Sequence, residues 1–187
     1  MALWSRRSAP APMPLPIAPV QVVDEHPFRA WTESLFISGL VRSEERLSDV
    51  LNRRELFRID GPSVVPFGAA GGSRFSPPEM TVDPFDFEVV LGLRHRHAPT
   101  PGRSPRRIHK VRYPVEIRAG AYVISGNLHI FPGNSPEFAA QSSGTLFLPI
   151  TGPTVRRAGR LVSDPTVVVA FVNRHSIQTI AQLDIVH

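Results

Sequence analysis

The side chains best placed to do chemistry in this sequence are basic residues crowded into a proline-containing segment near its middle. They are Arg94, Arg96, Arg103, Arg106, Arg107, Lys110, Arg112 and Arg118, with Glu116 as the one acid in that stretch. Such a cluster attracts RNA, DNA or an anionic lipid surface, and binding to a phosphate backbone weakens steeply with salt. The candidate anion contacts are Arg103, Arg106, Arg107, Lys110, Arg112, Arg156, Arg157, Asn173 and Arg174.

Charge is divided unevenly along the chain. Residues 24–88 carry 7 Arg against 12 acids, a net charge of −5, whereas residues 89–187 carry 12 Arg and Lys against 4 acids, a net charge of +8. The basic segment can therefore meet a polyanion, pair with the acidic first half of its own chain, or contact another copy head to tail.

The sequence predicts neither a metal site nor an enzyme. His95, His97 and His109 lie in or beside the basic segment, where arginines repel a divalent cation. Cysteine is absent, which excludes disulfides and thiolate ligands. We find no nucleophile elbow, phosphate-cradling glycine loop or zinc-helix motif, so we expect no catalytic residues and no cofactor.

Three short blocks occur twice in the same order, which indicates an internal duplication. The paired blocks are Leu35–Gly39 with Tyr122–Gly126, Leu56–Val64 with Leu146–Val155, and the apolar runs that follow Asp83-Pro84 and Asp164-Pro165. The duplication predicts two tandem units, at residues 28–95 and 115–187. A basic linker at 96–114 joins them, and a proline-rich arm at 1–27, expected to be disordered, precedes them.

Short apolar runs separated by glycine and proline turns predict a mainly-β fold, a sandwich or small barrel. One helical insertion is predicted in the first unit at residues 43–52, because Leu47, Val50 and Leu51 share one helical face and Ser43 suits the N-cap. Residues 135–143 take the corresponding place in the second unit.

The second unit resembles the Sm-like small β-barrels over residues 115–181, and the first unit echoes the pattern over 34–95. Gly126-Asn127-Leu128 fits the bent strand of that family, and the stretch from Phe171 to Ile180 resembles its terminal strand pair. Two tandem barrels of this kind are also similar to bacterial proteins of the same build. The resemblance implies an oligomer with edge-to-edge contacts, in which a two-unit chain makes a ring with half as many subunits.

Two departures weaken the carry-over of an RNA pocket from that family. The Asp and Asn that hold a base in its RNA-binding members have no counterpart between Ile130 and Leu146, since Asp49 and Asn52 lie in the helical insertion. Asn173 and Arg174 stand where the family has an Arg-Gly step.

Arg103 and Arg107 form an Arg-x-x-x-Arg pattern ahead of a barrel, which is superficially similar to the PilZ-type cyclic-dinucleotide receptors. The second motif of those receptors is missing. The leading hypothesis is therefore a non-enzymatic oligomeric scaffold or adaptor. The alternatives are an Sm-like RNA-binding protein and, more weakly, a receptor for an anionic small ligand. We expect a cytoplasmic protein, because the sequence has no cysteine and no run of about 20 apolar residues.

Overall fold

The protein is described by a computed structural model that covers residues 23–67, 73–93, 109–142 and 144–184. Most of the predicted arm and linker, including Arg103, Arg106 and Arg107, lies outside these residues. The predicted mainly-β class is confirmed, since eleven strands form one antiparallel sheet. This sheet is not closed, and the two tandem Sm-like barrels stay a prediction. Within the described ranges, neither α-helix is long and apolar enough to cross a membrane.

The first unit contains five strands and one α-helix. In chain order they are β1 (Asp24–Trp31), β2 (Leu35–Ser43), α1 (Leu47–Asn52), β3 (Phe57–Pro66), β4 (Glu79–Val82) and β5 (Val89–Leu93). Strand β1 begins inside the segment that the sequence assigned to the arm, so the folded unit starts a few residues earlier than predicted.

The second unit repeats this plan and adds one short hairpin strand. Its elements are β6 (Val111–Ala119), β7 (Tyr122–Ile130), α2 (Pro136–Ser142), β8 (Phe147–Arg157), β9 (Arg160–Leu161), β10 (Val167–Asn173) and β11 (Ile177–Gln182). Each α-helix occupies the connection between the second and third strands of its unit, as the sequence predicted for the two insertions.

Both units arrange their strands in the same order. The whole sheet runs β11-β6-β7-β8-β10-β5-β1-β2-β3-β4, and β9 pairs with β8. Strand β9 is left out of the comparison between units. In each unit the fifth strand, β5 or β11, pairs with the first strand, β1 or β6. The fourth strand, β4 or β10, lies at the opposite side of the unit. The two units meet where β5 pairs with β10, and β4 and β11 are left as the edges of the sheet.

Two repeated glycines show the duplication at atomic scale. A Cβ atom on Gly39 would lie 2.5 Å from Ile59 Cγ2 and 3.0 Å from the Asp60 carbonyl oxygen. A Cβ atom on Gly126 would lie 2.5 Å from Ile150 Cγ2 and 3.1 Å from the Thr151 carbonyl oxygen. Both glycines let the second strand of a unit bend tightly against the third, which explains why this block is repeated.

The turn glycine of the second block is equally well matched. Gly61 and Gly152 have φ angles of 54° and 56°, a left-handed conformation that costs glycine little and other residues more. Each glycine lies within one continuous strand, β3 or β8.

The third repeated block was paired wrongly. The run after Asp83 forms β5, the fifth strand of its unit, whereas the run after Asp164 forms β10, which is a fourth strand. The true counterpart of Asp83 is Asn173. Each begins a 3₁₀ turn, and each side chain accepts a hydrogen bond from the backbone N–H two residues later. The two apolar runs look alike because both strands are buried in the contact between the units.

We call the contact between β5 and β10 the joint. Val89, Val90 and Leu91 of β5 are fully buried, as are Ala170 and Val172 of β10. A strand covered on both faces needs apolar residues at successive positions, rather than alternate ones. This accounts for the unbroken apolar runs in the sequence.

Side chains cross the joint in both directions. Val89 and Leu91 belong to the core of the second unit, while Val90 stays in the core of the first. Phe171 of β10 reaches into the first core, together with Phe147 from the start of β8. Because each core depends on residues from the other unit, we expect the two units to unfold as one cooperative structure.

Hydrogen bonds and charge reinforce the joint. The buried amide of Asn173 donates to the carbonyl oxygens of Phe87 at 2.8 Å and Phe85 at 3.3 Å. Arg29 of β1 forms an ion pair with Asp164, just before β10. Hydrogen bonds to Thr166 and then Arg29 lower the pKa of Asp164 to about 2, so this contact persists except in strong acid.

Helix α1 buries the predicted face but begins later than predicted. Leu47, Val50 and Leu51 are all buried in the first core. Arg46 occupies the N-cap position without a side-chain hydrogen bond, and Ser43 remains in β2. Ser43 instead accepts a hydrogen bond from the backbone N–H of Glu45.

The repeated close approach makes a specific stability prediction. We expect Gly126→Ala to lower the free energy of unfolding by about 1–3 kcal/mol, because the new methyl group overlaps Ile150. Gly144→Ala is the control, since open space surrounds that position. Urea unfolding monitored by circular dichroism measures both. Equal stability of the two variants would contradict the packing described above.

Asn173→Asp tests the joint with an almost isosteric change. The carboxylate would face the carbonyl oxygens of Phe85 and Phe87 in a buried site, and we expect a loss of about 2–4 kcal/mol at neutral pH. Burial raises the pKa of such a carboxyl, so the deficit should shrink as the pH falls and the group takes up a proton.

The matched control is Asn127→Asp, whose side-chain amide makes one long hydrogen bond of 3.5 Å from a half-buried position. A pH-independent deficit at residue 173, or an equal deficit at both positions, contradicts the assigned role.

Candidate functional site

Two clefts flank helix α2, which connects β7 to β8 and packs against β11 and β7. The first turn of the helix is fixed by Ser135, whose hydroxyl accepts a hydrogen bond from the backbone N–H of Phe138. Two arginines hold its other end. Arg174 donates to the carbonyl oxygens of Ala139 at 2.7 Å and Ala140 at 2.6 Å, which is a favourable place for a cation.

The second arginine comes from the first unit. Arg54 donates to the carbonyl oxygen of Gly144 at 2.8 Å, across 90 residues of sequence. Its backbone has a φ of 63°, which is costly for a residue with a long side chain. Burial, followed by the charge of Arg54, lowers the pKa of Arg174. Two guanidinium groups therefore meet at the end of α2.

The first cleft lies between α2 and β11 and has a volume of about 660 Å³. Its lining is mostly polar and includes Arg54, Arg174 and Glu137. The carboxylate partly offsets the positive charge, and both arginines already donate to backbone carbonyls. We call this the polar cleft.

The second cleft lies between α2 and strands β7 and β8 and has a volume of about 520 Å³. We call it the apolar cleft. Its described lining residues are Asn52, Lys110, Leu128, His129, Ile130, Phe131, Asn134, Phe138, Ala139, Thr145, Phe147, Leu148, Pro149 and Arg174. Apolar side chains make the walls, two cations are present, and no carboxylate lines it among the described residues.

The structure brings two of the predicted anion contacts together. Lys110 and Arg174 both line the apolar cleft, although 64 positions separate them in the sequence. Arg112 and Arg156 are exposed on β6 and β8, away from this cleft. Arg103, Arg106 and Arg107 lie outside the described residues.

Arg157 and Asn173 have roles inside the fold. The Arg157 guanidinium stacks 3.8 Å above the centre of the Phe67 ring and lies 5.7 Å from that of Tyr122. Burial raises the pKa of Tyr122 and also that of Glu88, which lies near the same arginine. Asn173 is only 1% exposed and belongs to the joint, so we remove it from the candidate contact residues.

Sequence reasoning missed the aromatic side chains of the apolar cleft. Phe131 and Phe138 are 50% and 54% exposed, and Lys110 Nζ lies 5.7 Å from the Phe131 ring centre. The Pro132-Gly133 pair after Phe131 indicates a turn, but it does not indicate that the Phe131 ring is exposed. Large exposed rings beside a turn and on a short helix were the signal that could have identified this surface.

The described residues also bear on metal binding. No group of three or more His, Asp or Glu side chains within them is close enough to hold a metal ion. The clefts therefore offer charge, hydrogen bonds and apolar surface as their means of recognition.

Comparison of the chain with known protein families, curated proteins and solved structures finds no match. Proposals about its function therefore depend on the geometry of this protein itself.

Proposed function

We propose that the protein is a non-enzymatic scaffold whose copies associate head to tail through the two outer edges of the sheet. One observation supports this proposal above all others. The joint pairs the fifth strand of one unit with the fourth strand of the other, and the same two kinds of strand, β11 and β4, remain at the edges.

The edges are arranged so that the joint can recur between copies. Within the described residues, β11 pairs only with β6, and β4 pairs only with β3. Each edge strand therefore has one side of its backbone available for a further ladder. A contact between β11 of one copy and β4 of the next is heterologous, and repeating it gives a ring or an open filament.

Side-chain chemistry sets the strength of this contact. Equivalent positions of the inner and outer strands carry different side chains. The position of β4 that corresponds to the buried Phe171 of β10 is the exposed Thr81. The position of β11 that corresponds to the buried Val89 of β5 is the exposed Thr179. Arg58 also pairs with Glu79 on the β4 edge. Less apolar area would be buried between copies than within one, so the association is expected to be reversible and concentration-dependent.

The Sm-like resemblance supports the same proposal. It implies edge-to-edge assembly of small barrels and a closed ring with half as many two-unit chains. The contrast between an acidic first half and a basic second half also favours head-to-tail contact over contact between like halves.

The alternative functions depend on residues outside the described ranges. An RNA-binding role uses Arg103, Arg106 and Arg107 together with cations that the structure separates, and a cyclic-dinucleotide role uses the same linker arginines. The repeated edge geometry favours neither alternative, and we retain the scaffold as the proposed function.

Opposite changes at one position of β11 test the proposal. We expect Thr179→Val to strengthen self-association, because it restores the apolar side chain found at Val89 in the joint. Thr179→Lys should weaken self-association by at least about tenfold, since a charge would have to enter the contact. Sedimentation velocity over the micromolar range measures both effects.

Thr154→Lys is the matched control, because it adds the same charge at an exposed position of β8, an interior strand of the sheet. Its association should equal that of the native chain. A native protein and a Thr179→Val variant that both remain monomeric at every concentration would overturn the scaffold proposal.

A further inference from the structure

The apolar cleft between α2 and strands β7 and β8 has the size and composition of a small-molecule site. Binding pockets for such ligands commonly enclose about 300–1,000 Å³, and this cleft has a volume of about 520 Å³. Its floor includes Leu128, Phe147 and Leu148, which are buried in the cores of the two units. A ligand here would rest on rigid structure.

Two phenylalanine rings that line the cleft are exposed to water. Phe131 follows β7 directly, and Phe138 projects from α2; both rings are about half exposed. A ligand with an aromatic or aliphatic body would cover these rings and remove them from water. This sets the apolar part of the ligand.

The charged side chains of the cleft determine the other part of the ligand, which is an anionic group. Lys110 and Arg174 line the cleft, and the described lining contains no Asp or Glu to neutralise them. Lys110 is exposed before β6, with its ammonium over the Phe131 ring, so it can turn to meet an anionic group. His129, which shares a 2.8 Å hydrogen bond with Thr151, and Asn134 add polar groups beside it.

The other cleft beside α2 lacks this combination. The polar cleft includes Glu137, and polar side chains dominate its lining. A small anion with an apolar body therefore matches the apolar cleft better.

We propose that the apolar cleft binds a small amphipathic anion, a molecule with one carboxylate, sulfonate or phosphate group and an aromatic or aliphatic body. The anionic group faces Lys110, and the body packs against Phe131, Phe138 and Leu128. Asn52 of the first unit also lines the cleft, and its side-chain oxygen accepts a hydrogen bond from the backbone N–H of Phe147. The site thus takes residues from both units, and its described lining includes no residue of β4 or β11, the edges proposed for association.

Two naphthalene dyes of similar shape test the proposal on the full chain. The anionic probe is 8-anilinonaphthalene-1-sulfonate, and the neutral probe is N-phenyl-1-naphthylamine. We expect the anionic dye to bind at one saturable site and more tightly than the neutral dye. Lys110→Gln should weaken binding of the anionic dye by about fivefold and leave the neutral dye unchanged.

Matched variants locate the site. Arg112 lies two residues after Lys110, and its side chain does not line the cleft. Arg112→Gln therefore removes one positive charge without changing the site, and dye binding by this variant should equal that of the native chain. Phe138→Ala should weaken both dyes, whereas Phe85→Ala, another exposed phenylalanine outside the cleft, should weaken neither. Urea midpoints measured for each variant verify that all are folded when titrated.

Three results would overturn the proposal. They are equal affinity for the two dyes, equal effects of Lys110→Gln and Arg112→Gln, and binding without saturation at one dye per chain. None of these results depends on self-association, so the site and the scaffold can fail separately.

Discussion

The backbone pairing of β5 with β10 is the interaction on which the rest of this structure depends. It joins the five strands of the first unit and the six strands of the second into one sheet, and it buries Val89, Val90 and Leu91 of β5 with Ala170 and Val172 of β10. Val89 and Leu91 complete the second core, while Phe171 completes the first. A unit of this size has a small core when alone, and sharing residues across the joint compensates for that deficit. The joint also leaves β4 and β11 as the two edges of the sheet.

The duplication could be predicted from the sequence because backbone geometry demands particular residues. Gly39 and Gly126 allow the same close approach, and Gly61 and Gly152 adopt the same left-handed turn, so both pairs are visible as repeated letters. Side-chain patterns are less informative about strand order. The apolar runs of β5 and β10 look equivalent in the sequence, although β5 is a fifth strand and β10 a fourth strand. An apolar run indicates that a strand is buried, but it does not indicate the position of that strand in its unit.

The contacts that position α2 could not be predicted from neighbouring residues. Arg54 donates a hydrogen bond to the carbonyl oxygen of Gly144, 90 residues later in the sequence. Arg174 donates to the carbonyl oxygens of Ala140 and Ala139 in α2, which precede it by 34 and 35 residues. The basic segment is visible in the sequence as a local cluster of charge, yet Lys110 and Arg174 line one cleft only because the sheet order β6-β7-β8-β10 brings their strands to the same region. Asn173 was chosen as an anion contact because of its place in a motif, and its buried amide instead serves the joint. Charge density in sequence thus gave candidates, and topology decided which of them share a site.

The two units are alike in backbone and unlike in chemistry. The inner contact strands are almost wholly apolar, whereas the outer strands also carry exposed polar residues, namely Glu79, Thr81, Gln178, Thr179 and Gln182. Under the proposed head-to-tail association, this difference would make the contact between copies weaker than the joint inside the chain. Helix α2 has a similar double role, since arginines fix its C-terminal end while its apolar side leaves a cleft open.

Amide hydrogen exchange followed by mass spectrometry tests the central claim that the joint makes both units one cooperative structure. We expect peptides from β5 and β10 to exchange most slowly and at one common rate. We also expect β2 and β7 to lose protection together when denaturant is added. Loss of protection in β2 while β7 stays protected, or the reverse, would show that the units unfold independently and that the joint does not couple them.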